Sequence, residues 1–500
     1  MNAPTFRVTA VERYERLVTL RIPFRFGAAT VTHAPQAFVR ARIRLTDGAS
    51  TGAEAQGAAA ELMIPKWFDK SPQKSNAENI ADLRKALTNA ADAYTSESSS
   101  RAAFGHTAAH YRPLLAAGEA AGLNPLAANY GPALVDRAIL DALCRALGAS
   151  FNAAIRANAL GLDAALTPDL AGVDLDRFLR GLDGSGRIAA RHTVGMLDPI
   201  EAHDAGDGVG DGLPETLEQV IAAYGNRYFK LKLGGNPDAD LRRLTRIAVV
   251  LDALPEYTVT MDGNEQFADV ATIVEFWRKV AGTPSLARLV AATLYLEQPL
   301  PRTLALETDV SKAGLSKPLL IDESDATLDA FPAARARGYL GVSSKSCKGL
   351  YKSLLNAARC ALWNGSTPGG YFLSGEDLTM QAGLAVQQDL ALASVLGLSH
   401  VERNGHHYVN GFAGQGADAA EQQRFLSAHP DLYETSHGSV RLAIRNGTIA
   451  LGSLDAPGFA SGAEPAWSTL EPMLQREPNG PPRSRTDVAA VDEYSTPGNR

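Results

Sequence analysis

The sequence predicts an α+β domain followed by a β/α barrel. Residues 7–45 are rich in β-formers and residues 76–122 are Ala-rich with a helical period, so strands precede helices. From about residue 190, short apolar strands alternate with helical stretches, as parallel strands joined by crossovers require. Charged residues recur at the ends of successive strands, where a β/α barrel collects its active site. An open doubly wound sheet is the other architecture such alternation permits.

Val8–Ile22 holds the first β-formers. In Phe38–Leu45, Phe38, Arg40, Arg42 and Arg44 alternate with Val39, Ala41, Ile43 and Leu45, which marks a two-faced strand. Asp47-Gly48 then predicts a hairpin turn. Ala133–Leu147 is an amphipathic helix ended by Gly148. In the barrel region the expected strands are Ala190–Met196, Tyr228–Leu233, Thr258–Met261, Thr293–Glu297, Leu319–Ile321 and Gly341–Ser344. Helices are expected near Pro214–Tyr224 and Thr303–Lys312, and over Ala239–Leu251, Phe267–Ala281, Leu328–Arg337 and Leu350–Trp363. Ser374–Asp377 lies at a seventh strand. Ser439–Ile444 and Thr448–Leu451 flank Asn446-Gly447 as a hairpin. From about Pro472 large apolar residues are few, so the tail is expected to be disordered.

A hydrophobic share of 45% and a charged share of 21% are ordinary for a globular chain, and 500 residues allow two domains. A formal net charge of -7 gives no reason to expect nucleic acid or an anionic membrane as partner. Three cysteines without metal-ligand spacing suit free thiols in a reducing, cytoplasmic setting. Neither a signal-peptide pattern nor a membrane-length apolar run is evident.

Five segments carry the chemistry: Tyr228–Lys232, Val259–Asn264, Tyr295–Pro299, Leu320–Ser324 and Val342–Lys345. From Lys232 through Asp262, Glu297 and Asp322 to Lys345 the steps are 30, 35, 25 and 23 residues, close to the roughly 31 per unit of an eight-repeat barrel. Lys230 and Lys232 share a strand face, with Phe229, Leu231 and Leu233 on the other. Two inward lysines repel and lose hydration, so their pKa should fall unless acids compensate, which suits a general base. Three carboxylates at adjacent strand ends repel unless a cation sits among them, and oxygen-only ligands point to Mg²⁺ or Mn²⁺. Lys345 would flank a substrate from the wall facing Lys232. Lys348 is expected beyond the strand and solvated.

The ordered set Lys-x-Lys, Asp-x-Asn, Glu-Gln-Pro, Asp-Glu-Ser, Lys resembles the muconate-lactonizing subgroup of the enolase superfamily (the mandelate racemase/muconate lactonizing enzyme family). The resemblance extends through Pro23–Gly27 as a specificity loop, Val135–Gly148 as the last capping helix, Thr193–Gly195 as the first barrel strand and Arg441–Gly458 as a return to the capping domain. It implies a modified (β/α)7β TIM-type barrel over residues 189–430. An α+β capping domain over 1–188 would be completed by 431–470, leaving 471–500 as the tail.

The resemblance also implies Asp262, Glu297 and Asp322 as Mg²⁺ ligands, Lys232 as the base on one face and Lys345 as acid/base on the other. Lys230 would tune Lys232 or bind the substrate carboxylate, with Asn264 and Glu323 supporting. Phe24, Arg25, Phe26 and Glu376 are candidate substrate contacts. The implied reaction removes a proton α to a carboxylate, giving racemisation, epimerisation or cycloisomerisation of a small carboxylic acid. The alternatives are a lyase, such as a dehydratase or an o-succinylbenzoate-synthase-like enzyme, and a non-catalytic carboxylate-binding relative. A homo-oligomer is expected. Extra length near 76–107 and 204–212, and an insert at Met63–Lys70 with Trp67 and Phe68, depart from the pattern. No His–Asp dyad marks the later strands.

Three other signals are set aside. The glycines of 206–212 lack the dinucleotide spacing and carry two aspartates, so they read as a flexible loop. His406-His407 suits packing or the surface, with His400, Glu402 and Asn404 near the pocket rim. Cys347 has no histidine partner for a nucleophile role.

Overall fold

Alternating burial builds the first sheet. The computed structural model describes residues 3–27, 29–47, 51–366 and 370–473. Strands β1 (Phe6–Phe26), β2 (Ala29–Leu45) and β3 (Glu54–Leu62) pair antiparallel. On β2, Val39, Ala41, Ile43 and Leu45 are buried, whereas Arg40, Arg42 and Arg44 stay partly or fully exposed, as the alternation predicts. Gly48 of the expected hairpin turn lies outside the described residues.

Helices Asn76–Ser96 and Tyr130–Leu147 pack on this sheet, and Ala103–Ala120 packs on them. A capping box between Ser75 and Glu78 opens the first of these helices. Gly148, left-handed at φ 60°, ends the helix at Leu147 as predicted. The approach of that helix to β3 is tight. A Cβ on Gly57 would lie 2.1 Å from the Ala142 amide nitrogen and 2.3 Å from the Ala138 carbonyl oxygen.

Eight parallel strands follow among the described residues: β4 (Arg187–Val194), β5 (Tyr228–Lys232), β6 (Thr258–Asp262), β7 (Thr293–Glu297), β8 (Leu319–Ile321), β9 (Gly341–Ser344), β10 (Phe372–Gly375) and β11 (His400–Glu402). β11 pairs back onto β4 and closes the barrel. Each of the seven crossovers carries a helix, which makes this a (β/α)7β barrel capped by an antiparallel sheet and helices. Outward residues Phe229, Leu231, Val259, Met261 and Val342 are fully buried against helix residues such as Leu244, Phe276 and Phe331.

Two expectations are corrected. The helix expected at Thr303–Lys312 is a single turn, Arg302–Ala305. Asp309 Oδ1 accepts from the Ser311 amide and hydroxyl, a local turn that competes with helix propagation. The hairpin expected at 439–451 does not form as drawn. β13 (Ser439–Leu442) pairs instead with β12 (Tyr433–Ser436), whereas β14 (Thr448–Ala450) joins the barrel antiparallel to β4. Asn446-Gly447 does turn the chain, with φ of 51° and 71°, and Arg445 and Thr448 exchange backbone hydrogen bonds across it. Within the expected tail, β15 (Glu471–Pro472) pairs with Glu15 and Tyr14 of β1; residues 474–500 lie outside the described residues.

A candidate active site at the barrel mouth

Strand register builds the site. Lys232 is paired with Asp262, and Asp262 with Glu297, on consecutive strands. Period-two alternation turns Lys230 and Lys232 inward together. Lys232 Nζ donates to Asp262 Oδ2 at 2.6 Å and Asn264 Oδ1 at 2.8 Å. Lys345 Nζ donates to Asp322 Oδ2 at 2.6 Å and lies 4.2 Å from the centroid of the Trp67 ring. Lys230 Nζ stands among four carboxylates: Asp262 at 3.0 Å, Glu297 at 2.9 Å, Glu376 at 2.7 Å and Glu402 at 2.9 Å. All of these side chains are buried.

The lowering expected of uncompensated lysines does not arise at Lys230, because acids compensate it. Burial pushes the Lys230 ammonium down, but Asp262, Glu297, Glu376 and Glu402 together raise it well above its ordinary value. Lys345 is also raised: burial lowers it, but Asp322 together with Glu297 and Glu402 raises it further. Among the acids, Glu297 stands apart. Burial raises its carboxyl, and Asp262 and Glu376 raise it further against the pull of Lys230.

The strand ends carry backbone strain. Asn264, Glu265 and Gln298 have φ of 41°, 69° and 34°, and they follow Asp262 and Glu297 within a few residues. Asn264 Nδ2 donates to Glu323 Oε1 at 3.2 Å, so Asn264 bridges Lys232 to Glu323.

Several other expected residues change place. Lys348 is buried, not solvated. It donates to Ser343 Oγ at 2.6 Å and lies 3.4 Å from Asp322 Oδ1, because the turn at Ser346–Lys348 folds it back over the strand end. Pro23–Gly27 is not a free loop, since β1 runs to Phe26. Strand alternation buries Phe24 and Phe26, with Phe24 4.3 Å from the Tyr408 ring, and turns Arg25 outward to the Gly27 carbonyl. Glu376 belongs to the inner network, paired with Arg191 and Lys230. His406 and His407 lie on a short helix, Gly405–Tyr408, buried beside His192. Burial and Glu61 push the Cys347 thiol well up, away from the thiolate.

Sequence reading missed Arg191 and Tyr295, and took Ser374 only as part of the seventh-strand segment Ser374–Asp377. Tyr295 Oη donates to Glu376 Oε1 at 3.1 Å, and Arg191 Nη1 reaches Ser374 Oγ at 3.2 Å. Inward alternation on β4 and β7 was the available signal for the first two. Glu402, seen only as a rim residue, accepts from Thr193 Oγ1 at 2.5 Å as well as from Lys230.

Two groups of acids bear on a divalent ion. Among the described residues, Glu201, His203 and Asp204 are the one group of three whose ligand atoms all lie within 4.8 Å of one another. They lie at the surface, where Arg246 already pairs with both acids. Asp262, Glu297 and Asp322 are looser, each facing an ammonium. Their chemistry nevertheless fits Mg²⁺, being oxygen-only on three consecutive strands. Glu297 Oε2 is buried without a hydrogen bond, 2.9 Å from the Lys230 ammonium, and burial with Asp262 and Glu376 holds that carboxyl up.

No protein-family model matches the chain, and no curated protein matches it. Solved structures do. A muconate lactonizing enzyme from Pseudomonas fluorescens, complexed with muconolactone, matches at TM-score 0.56 and 17% identity, over 92% of this chain and 97% of that one. A mandelate racemase/muconate lactonizing protein from Herpetosiphon aurantiacus matches at 0.55 and 17%, over 92% and 99%. An enolase from Bradyrhizobium, complexed with magnesium and mandelic acid, matches at 0.56 and 15%, over 93% and 97%. The barrel and its cap are therefore the fold of these enzymes.

Proposed function

We propose that this chain, built on the fold of the muconate lactonizing enzymes and mandelate racemases, is an enolase-superfamily enzyme that removes a proton α to the carboxylate of a small acid. The observation that carries the reading is the placement of two amines. Lys232 ends the second barrel strand and Lys345 follows the sixth, half a turn around the eight-stranded ring, with Asp262, Glu297 and Asp322 on the strands between. A substrate held against those acids has an amine on each side.

Lys232 and Lys345 are the groups that take and return the proton. The one acting as base must first shed its own proton, and at Lys345 contact with Asp322 opposes that loss until substrate binding alters the balance. Asn264 fixes the direction of the Lys232 amine. Lys230, held by four carboxylates, acts as a fixed positive charge and not as the base. Asp262, Glu297 and Asp322 would hold Mg²⁺, which when bound offsets the negative charge that grows on the substrate carboxylate as the proton leaves.

Amines on two sides favour racemisation, epimerisation or cycloisomerisation. A lyase would share the first step and then expel a leaving group. The test is solvent deuterium exchange at the α-carbon across a library of dipeptides, N-acyl amino acids, muconates and hydroxy acids, with products read by NMR. Lys232→Ala and Lys345→Ala should each cut exchange by at least about 10²-fold. Full exchange in both variants would reject the mechanism.

A further inference from the structure

Residues 67–70 belong to the capping half of the chain, yet they touch one amine of the barrel, Lys345, and the residues Asn264 and Glu323 that lead to the other, Lys232. The Trp67 ring covers Lys345, whose Nζ lies 4.2 Å from the ring centroid, and both residues are buried. Lys70 Nζ lies 2.8 Å from the Asn264 carbonyl oxygen, 3.1 Å from Glu323 Oε1 and 2.7 Å from Glu265 Oε2. Asn264 then passes the contact on. Its Nδ2 donates to the same Glu323 Oε1, and its Oδ1 accepts from Lys232. A continuous polar path runs from Lys70 through Glu323 and Asn264 to Lys232.

The segment is also anchored in place. Arg302 donates to the Phe68 carbonyl at 2.8 Å and the Trp67 carbonyl at 2.9 Å, and its guanidinium pairs with Glu265 at 2.8 Å. Asn124 donates to the Phe68 carbonyl at 2.9 Å. The Phe68 ring packs edge-on against Tyr130 at 5.2 Å, which ties the segment to the helix Tyr130–Leu147. These are specific side-chain bonds to two consecutive carbonyls, so the conformation is imposed by both halves of the molecule.

We propose that Lys70 and Trp67 are positioning residues that orient the two amines separately, Lys70 fixing Lys232 through Glu323 and Asn264, and Trp67 fixing Lys345 through its ring face. Their catalytic meaning rests on the proposed function; the placement of the amines does not. Asn264 has one amide group and spends it on Lys232 and Glu323, so loss of Lys70 leaves Glu323 free to swing and carry Asn264 with it. Loss of the Trp67 ring uncovers Lys345.

The test is competitive acylation of the full-length chain with acetic anhydride, read lysine by lysine by peptide mass spectrometry, with exposed Lys85 as internal reference. Trp67→Leu should raise acylation of Lys345 several-fold relative to Lys85 and leave Lys232 unchanged. Lys70→Met should do the reverse. Trp67→Phe and Lys70→Arg, which keep the ring and the charge, should restore the wild-type pattern. The proposal is overturned if both amines rise together in either variant, as general loosening would cause, or if neither moves. Acylation needs no turnover, so this result stands apart from the deuterium-exchange experiment.

Discussion

Lys230 illustrates why single residues deceive when read along the chain. Beside Lys232 it looks like half of a repelling pair. In the fold it is the shared cation of four acids, two of which, Glu376 and Glu402, come 146 and 172 residues later. Spacing within one strand gave the direction of both lysines. It carried no information on acids from strands late in the chain.

Asp136 is a second buried charge, and its chemistry is testable alone. It accepts from Tyr94 Oη at 2.7 Å and Thr107 Oγ1 at 2.9 Å, yet burial pushes its carboxyl up to about 7. The unfolded chain loses that proton near pH 4. Between those values the folded state binds the extra proton, so the contribution to stability is full below about pH 4 and falls as pH rises toward about 7. Asp136→Asn should flatten that fall by up to about 4 kcal/mol. Urea unfolding at about pH 5 and about pH 8 captures roughly 2.7 kcal/mol of that fall, and equal pH dependence in both proteins would refute the assignment.

At the scale of elements, periodicity was legible and competition was not. The alternation of β2 and the Gly148 stop of its packing helix follow from rules local to a few residues. The short turn Arg302–Ala305 departs from its helical pattern because Asp309 captures the Ser311 backbone amide. β13 departs because Tyr433–Ser436 pairs with it first in the chain. Gly57 marks where two elements nearly touch. Gly57→Ala should destabilise the capping sheet by roughly 1–3 kcal/mol through overpacking against Ala138 and Ala142. An unchanged denaturant midpoint would show that the helix shifts freely.

Across the whole molecule, the order of acids and lysines foretold the barrel, because only closure brings five distant strand ends to one mouth. The same order hid the inner network of Arg191, Tyr295, Glu376 and Glu402, whose members touch only after β11 meets β4. If Asp262, Glu297 and Asp322 hold a divalent ion in the folded state alone, millimolar Mg²⁺ should raise the thermal midpoint by a few degrees. Glu297→Gln should remove that rise. An identical Mg²⁺ response in the variant would show that the ion binds elsewhere.

The late arrival of β11 and β14 bears on how the chain is made. β4 is flanked in the finished barrel by β5, β11 and β14. At ribosomal speeds of about 5–20 residues per second, roughly 10–40 s pass between the synthesis of β4 and that of β11. Throughout that interval a nascent parallel sheet presents an open apolar edge to other chains. Producing this protein at high concentration therefore tests the cell's chaperones at one identifiable place, the seam between the first strand of the ring and the last.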